Sequence, residues 1–346
     1  MVLRVGVVGG GIIGLTTALK VLETIDNVKV TIIAEHFTPR TTGDVAGGFF
    51  EPYLMEGMTD EKLRHSPISY NFYFFSLSTL VKKEDQRSCT MESNGRPQRA
   101  QAVTTPTAAN ERADDAESRR YIFSASTVLA KIAVVSFHSL KLRLLTFQPC
   151  PLFVSSSLAS RGCHFVRKKL DTLDQLAGKF DVVMNCPGIG AVSLVPDPDV
   201  YPVRGQTTWV YAPWVKRVVV AGEYYIIPNV DAIVLGGTAD KGDFSLVPVQ
   251  ETRQKILDAC IALEPSLKKA KFVRDHVGLR PGRSAVRIEI EERVLDDSNK
   301  TLPIVHNYGH GGSGITVSWG CAGDAVNLLK QVVAEKGLSS KAHSKL

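Results

Sequence analysis

Three glycines near the start of the chain have the spacing of a phosphate-binding turn. They belong to the run Gly9-Gly10-Gly11-Ile12-Ile13-Gly14, which follows an apolar β run and opens a helical pattern. The first glycine of such a turn adopts a conformation that side chains forbid, the second admits a pyrophosphate, and the third lets the helix pack on the strand. The pyrophosphate then lies at the positive helix N-terminus. The spacing predicts a dinucleotide site; the alternative is a glycine-rich turn without a ligand.

Glu35 restricts the kind of dinucleotide. It ends the next apolar strand, Val28 to Ala34, about 20 residues after the glycines, as in known dinucleotide folds. A carboxylate at that position accepts hydrogen bonds from ribose hydroxyls and would repel a 2′-phosphate. We therefore expect FAD or NAD rather than NADP.

A second glycine loop, near the other end of the chain, could contact a flavin. His306-Asn307-Tyr308-Gly309-His310-Gly311-Gly312-Ser313-Gly314 lies between the apolar strand Leu302 to Val305 and a predicted helix from Ile315 to Glu335. The backbone N–H groups of the loop and the helix N-terminus would form a positive site that stabilises negative charge on a reduced flavin ring. The alternative is a loop whose glycines serve only close packing.

The elements that must hold these loops predict an α/β fold. The β-α-β unit around Gly9 and a buried strand, Phe180 to Asn185, are typical of a Rossmann-type layer. An antiparallel sheet is predicted from short runs separated by turn residues: Thr207 to Tyr211, Arg217 to Val220, Tyr224 to Ile227 and Ala232 to Leu235. Helices are expected from Gln250 to Leu263 and, rich in charged residues, between Val166 and Phe180.

We expect the second layer to be a domain inserted into the first. The dinucleotide-binding (Rossmann-type) FAD domain would comprise residues 1–52, 161–195 and 301–335. The inserted, mainly antiparallel α+β substrate domain would comprise residues 53–160 and 196–300, and a tail would run from 336 to 346.

Composition excludes several classes of protein. The net charge of +6 over 346 residues is modest and has no concentrated basic tract, so we expect no nucleic-acid partner. No stretch reaches the roughly 18 to 20 apolar residues of a membrane span. The cysteines are scattered without metal-ligand spacing, which favours reduced thiols and no metal site: Cys89, Cys150, Cys163, Cys186, Cys260 and Cys321.

Several runs together resemble the D-amino-acid oxidase and D-aspartate oxidase family. The segment from His306 to Ala322 is similar to the family signature. The similarity extends to shorter runs: Glu35 to Pro39, Thr41 to Gly48, Pro52-Tyr53, Asn185 to Gly188, Val203 to Gln206, Ala212 to Trp214 and Gly278 to Pro281. It covers residues 1–85 and 161–335. Residues 86–160, a polar tract followed by an apolar stretch with few turn residues, do not match the family.

The resemblance implies non-covalent FAD and oxidation of a D-amino acid. The products would be a 2-oxo acid and ammonia, formed through the imino acid, with molecular oxygen reduced to hydrogen peroxide. The residues implied to bind FAD are Gly9, Gly11, Ile12, Ile13, Gly14, Glu35, His36, Thr41, Thr42, Gly47, Gly48, Leu170, Gly188, Gly311, Gly312, Ser313, Gly314, Ile315 and Thr316.

The resemblance also implies how the substrate is held. Arg280 would clamp the carboxylate, which suits the fork of a guanidinium, and Tyr225 would donate its phenol hydrogen to the same group. The carbonyl of Gly312 would accept from the amine. A hydride passes from Cα to the flavin without a protein base, so His306 and His310 are interpreted as packing residues. The alternative, from residue type alone, is that Arg280 is a surface arginine and that Tyr225 is a half-buried aromatic residue of a strand.

Three alternatives stay open. Leu235 to Thr238 and Lys241 to Phe244 are closer to D-aspartate oxidases, but Ala239 replaces the arginine that those enzymes tend to carry for the second carboxylate. Lys241 or Lys216 could compensate. Glu51, where relatives carry an amide, and the unmatched residues 86–160 favour a catalytically impaired FAD-binding relative. An NAD-dependent dehydrogenase is the third alternative.

The final residues, Ser344-Lys345-Leu346, form the tripeptide that the peroxisomal import receptor reads. The preceding residues are small and polar, as an accessible tail requires. We expect a peroxisomal matrix protein, which suits an oxidase that releases peroxide. A homodimer is left open.

Overall fold

The computed structural model describes residues 2–47, 150–229, 231–295 and 301–338, together with two short strands at 135–136 and 143–144. The first half of this part contains β1 (Leu3–Gly10), α1 (Ile12–Thr24), β2 (Val28–Phe37), a 3₁₀ turn (Thr42–Val45), β3 (Val135–Ser136), β4 (Arg143–Leu144), α2 (Cys150–Ser160), β5 (His164–Arg167), a 3₁₀ turn (Leu173–Leu176), β6 (Val182–Asn185) and α3 (Ala191–Leu194). The second half contains β7 (Tyr201–Tyr211), β8 (Val219–Ala221), β9 (Tyr224–Pro228), β10 (Ile233–Gly236), β11 (Asp240–Lys241), α4 (Gln250–Leu263), β12 (Lys271–Gly282), β13 (Arg287–Val294), β14 (Thr301–Tyr308) and α5 (Gly314–Glu335).

Six strands form the first sheet, in the order β13-β14-β6-β1-β2-β5. All neighbours are parallel except β13, which runs antiparallel to β14 at the edge. Helices α1, α2 and α5 contribute to one buried cluster with β1, including Leu15, Leu158 and Leu329. Because parallel strands end at the same edge of a sheet, the turn after β1 and the loop after β14 lie on one side of the layer.

The second sheet is antiparallel, in the order β11-β7-β10-β9-β8, with β12 paired along β7. Helix α4 covers one face, where Ile256 and Cys260 pack against Ile226 and Leu235. The opposite face carries a second cluster around Trp209. Together the two sheets confirm the predicted α/β fold with an antiparallel second layer.

Hydrogen bonds join the segment after β2 and the loop after β14 to the second sheet. Thr42 Oγ1 donates to the carbonyl of Leu279 at 3.1 Å, and Asn229 Nδ2 donates to the carbonyl of Gly47 at 3.2 Å. The N–H of Gly311 donates to Pro281 at 2.8 Å. These contacts bring both segments against strands β9 and β12.

Most of the predicted elements are present, and the differences have a tertiary cause. The helix expected between Val166 and Phe180 is absent; that stretch holds β5 and the 3₁₀ turn Leu173–Leu176 instead. Strand β5 forms because β2 offers a parallel partner, which outweighs local propensity. Strands β12 and β13 escaped prediction because their charged residues obscure the alternation.

Two elements pack with the first sheet, although the expected domain division assigns them to the substrate domain. Helix α2, in a segment assigned to the substrate domain, packs Val154 and Leu158 against α1. Strand β13, assigned likewise, pairs with β14 in the first sheet. Within residues 86–149, only β3 and β4 are described, and they pair with each other.

The cysteines of the described residues are free thiols: Cys163, Cys186, Cys260 and Cys321 are all buried. Burial raises the pKa of each to about 12, so these thiols stay protonated and unreactive. The same part of the chain has no group of His, Cys, Asp and Glu that could hold a metal ion. Its helices include none that is long and apolar enough to cross a membrane.

The three glycines of the first turn differ in whether a side chain would fit in their place. Gly9 has φ +109°, and a Cβ there would collide with the carbonyl of Cys186 on the neighbouring strand. A Cβ on Gly14 would collide with the carbonyl of Gly9. Gly11 has an ordinary φ of −80°, and a Cβ there would meet no atom within 4 Å. Packing therefore requires Gly9 and Gly14, and leaves Gly11 unexplained by the protein itself.

The contrast predicts effects of different size when either glycine is replaced by alanine. Gly14→Ala should lower the free energy of unfolding by about 3 kcal/mol, because two backbone segments would have to separate. Gly11→Ala, its matched control, should cost at most about 1 kcal/mol, the loss of a favourable N-cap residue. Urea denaturation of both variants measures the difference; equal destabilisation would contradict the packing argument.

Candidate active site

A cavity of about 530 Å³ lies between the two sheets, at the edge where β1, β2, β6 and β14 end. Its first wall is formed by the turn from Gly9 to Ile13 and the loop from His310 to Thr316. Its second wall is formed by the segment Arg40–Gly47 and by residues of β7, β9 and β12, among them Tyr225 and Arg280.

The N-termini of two helices form part of the first wall. Helix α1 begins at Ile12 and α5 at Gly314, and neither has an acidic residue in its first turn. The positive ends of both helix dipoles are therefore not neutralised by the helices' own side chains, and they favour negatively charged groups in the cavity.

Polar residues mark the end of the cavity near β2. The carboxylate of Glu35, at the end of β2, lies 3.8 Å from His36 Nε2 and 3.8 Å from Lys169 Nζ. Its side chain is 49% exposed. Lys168 and Leu170 line the same end, so a polar ligand group at this end would meet both an acceptor and cations.

A capped turn shapes the opposite wall. The carboxylate of Asp44 accepts hydrogen bonds from the N–H and the hydroxyl of Thr41, each at 2.7 Å. This holds the 3₁₀ turn Thr42–Val45 closed, and the hydrogen bond from Thr42 to Leu279 fixes it against β12. Thr41 and Thr42 are thereby presented to the cavity.

Glycines on the second sheet make room for Arg280. Its side chain, on β12, leans across the neighbouring β7, where a Cβ on Gly205 would lie 2.6 Å from the guanidinium carbon. Arg280 Nη1 donates to the carbonyl of Thr238 at 3.0 Å. The guanidinium thus lies flat on the sheet because the residue beneath it has no side chain.

A glycine also makes room for Tyr225. Its ring lies directly over Gly236 on the paired strand β10, where a Cβ would collide with it. A Cβ on Gly237 would lie 3.0 Å from the phenol oxygen. Strands β12 and β9 are separated by β7 and β10, about 14 Å of sheet, yet the two side chains converge beside Gly237 and Thr238. A carboxylate there could receive donors from both.

An ionic network anchors the loop after β14. The Tyr308 hydroxyl donates to Asp197 at 2.8 Å, and Arg287 Nη1 donates to the same hydroxyl at 2.6 Å. Arg283 Nε reaches Asp197 at 3.1 Å. Burial raises the pKa of Tyr308 to about 12. Burial also opposes ionisation of Asp197, but hydrogen bonds from Tyr308 and Arg283 outweigh it and lower the pKa of that carboxyl.

Two histidines of the same region are buried. His306 Nε2 lies 2.8 Å from Glu291 and Nδ1 lies 3.1 Å from Asn185 Nδ2. Burial lowers its pKa despite the carboxylate. Burial also lowers the pKa of His310 to about 3. Both rings are buried, and His310 also lines the cavity. Their interpretation as packing residues stays a prediction.

Most of the predicted site residues come together. Those that line the cavity are Gly9, Gly11, Ile12, Ile13, Glu35, His36, Thr41, Thr42, Gly47, Leu170, Gly188, Tyr225, Arg280, Gly311, Gly312, Gly314, Ile315 and Thr316. Gly14 and Ser313 are not in the lining: Gly14 packs against β1, and Ser313 is buried at the N-cap position of α5. Gly48, Glu51 and Ser344 to Leu346 lie outside the described residues.

Other lining residues were not predicted. They include Arg40, Lys168, Lys169, Cys186, Ser193, Thr207, Glu223, Asn307 and Tyr308. Arg40, Lys168 and Lys169 flank predicted residues, so their sequence position was the available signal. Glu223 lies two residues before the predicted Tyr225, so strand alternation was the available signal. Thr207 reaches the cavity only through the register of the second sheet, which no local pattern encodes.

The chain matches known oxidases along its length. Residues 156–328 match the family described as FAD dependent oxidoreductase. The chain is 34% identical to a D-amino acid oxidase of Dugesia ryukyuensis, an alignment that covers 97% of this chain and 100% of the relative. It is 33% identical to the D-aspartate oxidase of Homo sapiens, over 95% of each chain.

Solved structures share the fold at low identity. The glycine oxidase of Bacillus cereus aligns with a TM-score of 0.66 and 17% identity, covering 95% of this chain and 97% of that one. Iminodiacetate oxidase of Chelativorans sp. aligns with a TM-score of 0.62 and 18% identity, covering 95% of each.

The cavity fits FAD on its own geometry. The open space over Gly11 accounts for a glycine that protein packing does not require, and it lies at the N-terminus of α1, where a pyrophosphate binds. The N-terminus of α5 supplies a second positive site on the same wall, suited to the flavin end of the cofactor. Sequence identity, fold and cavity agree: the chain belongs to the family of FAD-dependent oxidoreductases that contains the D-amino-acid and D-aspartate oxidases.

Proposed function

We propose that the protein oxidises D-amino acids to imino acids, which hydrolyse to 2-oxo acids and ammonia while oxygen is reduced to hydrogen peroxide. The observation that carries the proposal is the convergence of Arg280 and Tyr225 over Gly205 and Gly236, opposite the glycine loop after β14. Its support from relatives is the identity of 34% to a D-amino acid oxidase over nearly the whole chain.

Bound FAD supplies a hydride acceptor that can pass electrons to oxygen. Gly11 and the N-terminus of α1 would hold its pyrophosphate, and Glu35 would accept from its ribose hydroxyls. The N–H groups from Gly311 to Thr316 would stabilise negative charge at the flavin end.

Arg280 and Tyr225 would orient the substrate. The guanidinium fork and the phenol hydroxyl donate to the α-carboxylate, and the Gly312 carbonyl accepts from the α-amine. With the amine neutral, its lone pair forms the C=N bond as the Cα hydrogen leaves with both electrons. The product is the iminium form, so the step needs no proton acceptor from the protein.

A substrate with one carboxylate fits the described part of the cavity best. Arg280 is the cation that lies beside Tyr225 there, and Ala239 offers no second one. The two lysines considered as replacements do not line the cavity; Lys241 Nζ lies 5.4 Å from the ring centroid of Tyr201. D-aspartate oxidase activity is the second candidate, favoured by the 33% identity to the human D-aspartate oxidase.

The purified protein should be yellow and should release peroxide with D-alanine and not with L-alanine. D-aspartate, assayed in parallel, should be the poorer substrate. Faster turnover of D-aspartate would favour the second candidate. Flavin-loaded protein that oxidises neither would indicate an impaired relative, and a colourless protein that requires NAD would contradict the proposal.

Arg280→Ala should raise the KM for D-alanine roughly tenfold to a hundredfold while FAD stays bound, because charged hydrogen bonds to the carboxylate are lost. Arg274→Ala is the matched control on the same strand, since Arg274 stacks on Trp209 and does not line the cavity. Steady-state kinetics with a flavin absorbance spectrum measures both. An unchanged KM in Arg280→Ala would remove this residue from the site.

Gly11→Ala should raise the Kd for FAD roughly tenfold or more, because its methyl group would occupy the space assigned to the pyrophosphate. Fluorescence titration of the apoprotein with FAD gives the Kd. Unchanged FAD affinity would contradict the assignment, since the same variant is expected to fold normally.

We also propose import into the peroxisome through Ser344-Lys345-Leu346. A copy with a fluorescent protein at its N-terminus should enter peroxisomes, and Leu346→Ser should leave it in the cytosol. Peroxisomal Leu346→Ser protein would refute this address. A homodimer stays a prediction.

A further inference from the structure

Strand β9 presents three side chains to the cavity at every second residue. Ile227, Tyr225 and Glu223 all line it, as expected when alternate residues of a strand face the same side. Glu223 precedes β9 in the turn that joins it to β8. An acidic residue therefore lies on the substrate face, two positions from the tyrosine that would bind the carboxylate.

The hairpin turn between β8 and β9 determines the position of Glu223. Ala221 pairs with Tyr224, which leaves the two residues Gly222 and Glu223 as the hairpin turn. Gly222 has φ +60°, the conformation that two-residue hairpins need at their first turn position. The short turn gives Glu223 little freedom to leave the face on which Tyr225 lies.

The carboxylate of Glu223 is available for a ligand. It is exposed and makes no hydrogen bond or ion pair with the described residues. Other acidic residues of the second layer are engaged instead: Glu264 pairs with Arg217 at 3.3 Å, and Asp275 pairs with Arg253.

The spacing matches a long cationic side chain. Two residues of strand place the Cα of Glu223 about 6.7 Å from that of Tyr225, close to the length of an extended lysine or arginine side chain, about 6 to 7 Å. With the α-carboxylate held at Tyr225 and Arg280, a side chain that extends along β9 toward the turn would bring its charge to Glu223.

We infer that Glu223 is a specificity-determining residue that favours D-amino acids with cationic side chains and disfavours acidic ones. The inference rests on the proposed oxidase function, and it deepens it: Arg280 selects the carboxylate that all amino acids share, and Glu223 selects among side chains. An ion pair at a cavity rim contributes modestly and is screened by salt.

The test compares kcat/KM for D-arginine, D-norleucine and D-glutamate. Glu223→Gln should lower the ratio of D-arginine to D-norleucine about threefold to tenfold and leave D-norleucine within about twofold. Glu223→Lys should lower that ratio further and improve D-glutamate. The wild-type ratio should also fall at high ionic strength. Glu251→Gln, on α4 and outside the cavity lining, is the matched control.

An unchanged ratio in Glu223→Gln, with D-norleucine still oxidised, would overturn the inference and leave the oxidase function standing. If flavin-loaded wild-type protein oxidised none of these amino acids, the proposed function itself would fail. Binding then decides the inference: 5-guanidinopentanoate should perturb the flavin spectrum at lower concentration than hexanoate in wild type, and the advantage should shrink in Glu223→Gln. Equal advantage in both proteins would overturn it.

Discussion

Helix α1 can begin where it does only because Gly14 lies against the carbonyl of Gly9, and Gly9 in turn lies against the carbonyl of Cys186. These backbone contacts join β1, α1 and β6 with no space for a side chain. They set the height of the α1 N-terminus over the sheet edge, and so the position of its positive dipole end. Gly11, with open space over it at that end, can then face a pyrophosphate.

In the second sheet, glycines likewise determine where two functional side chains can lie. Arg280 and Tyr225 stand on strands that are separated by two others, and each reaches inward across a glycine. Long side chains that lie flat on a sheet face can converge only where the intervening residues have no Cβ. Gly205 and Gly236 therefore position the two side chains of the proposed substrate site, although neither offers a functional group. The ionic network of Asp197, Arg283 and Tyr308 plays the corresponding role for the opposite loop.

Local patterns predicted the parts of the site that local geometry controls. The turn from Gly9 to Gly14, Glu35 at the end of β2 and the loop before α5 all combine a strand, a special backbone conformation and a helix start within a few residues. The contribution of Thr207 could not be predicted, because it depends on the register of the second sheet. The prediction of a helix between Val166 and Phe180 was also wrong. Val166 and Arg167 pair with β2 as the end of β5, and the 3₁₀ turn Leu173–Leu176 follows.

By itself, the sequence determined the dinucleotide turn and the family to which the chain belongs, since both are encoded in contiguous residues. It also predicted that Glu35 excludes a 2′-phosphate. The tertiary structure decided that packing requires Gly9 and Gly14 and leaves open space over Gly11, where we propose that the cofactor binds. It also decided that Arg280 meets Tyr225, and that Glu223 shares their face. Those relations join residues from separate strands, and only strand pairing and backbone contact across the sheets set the distances between them.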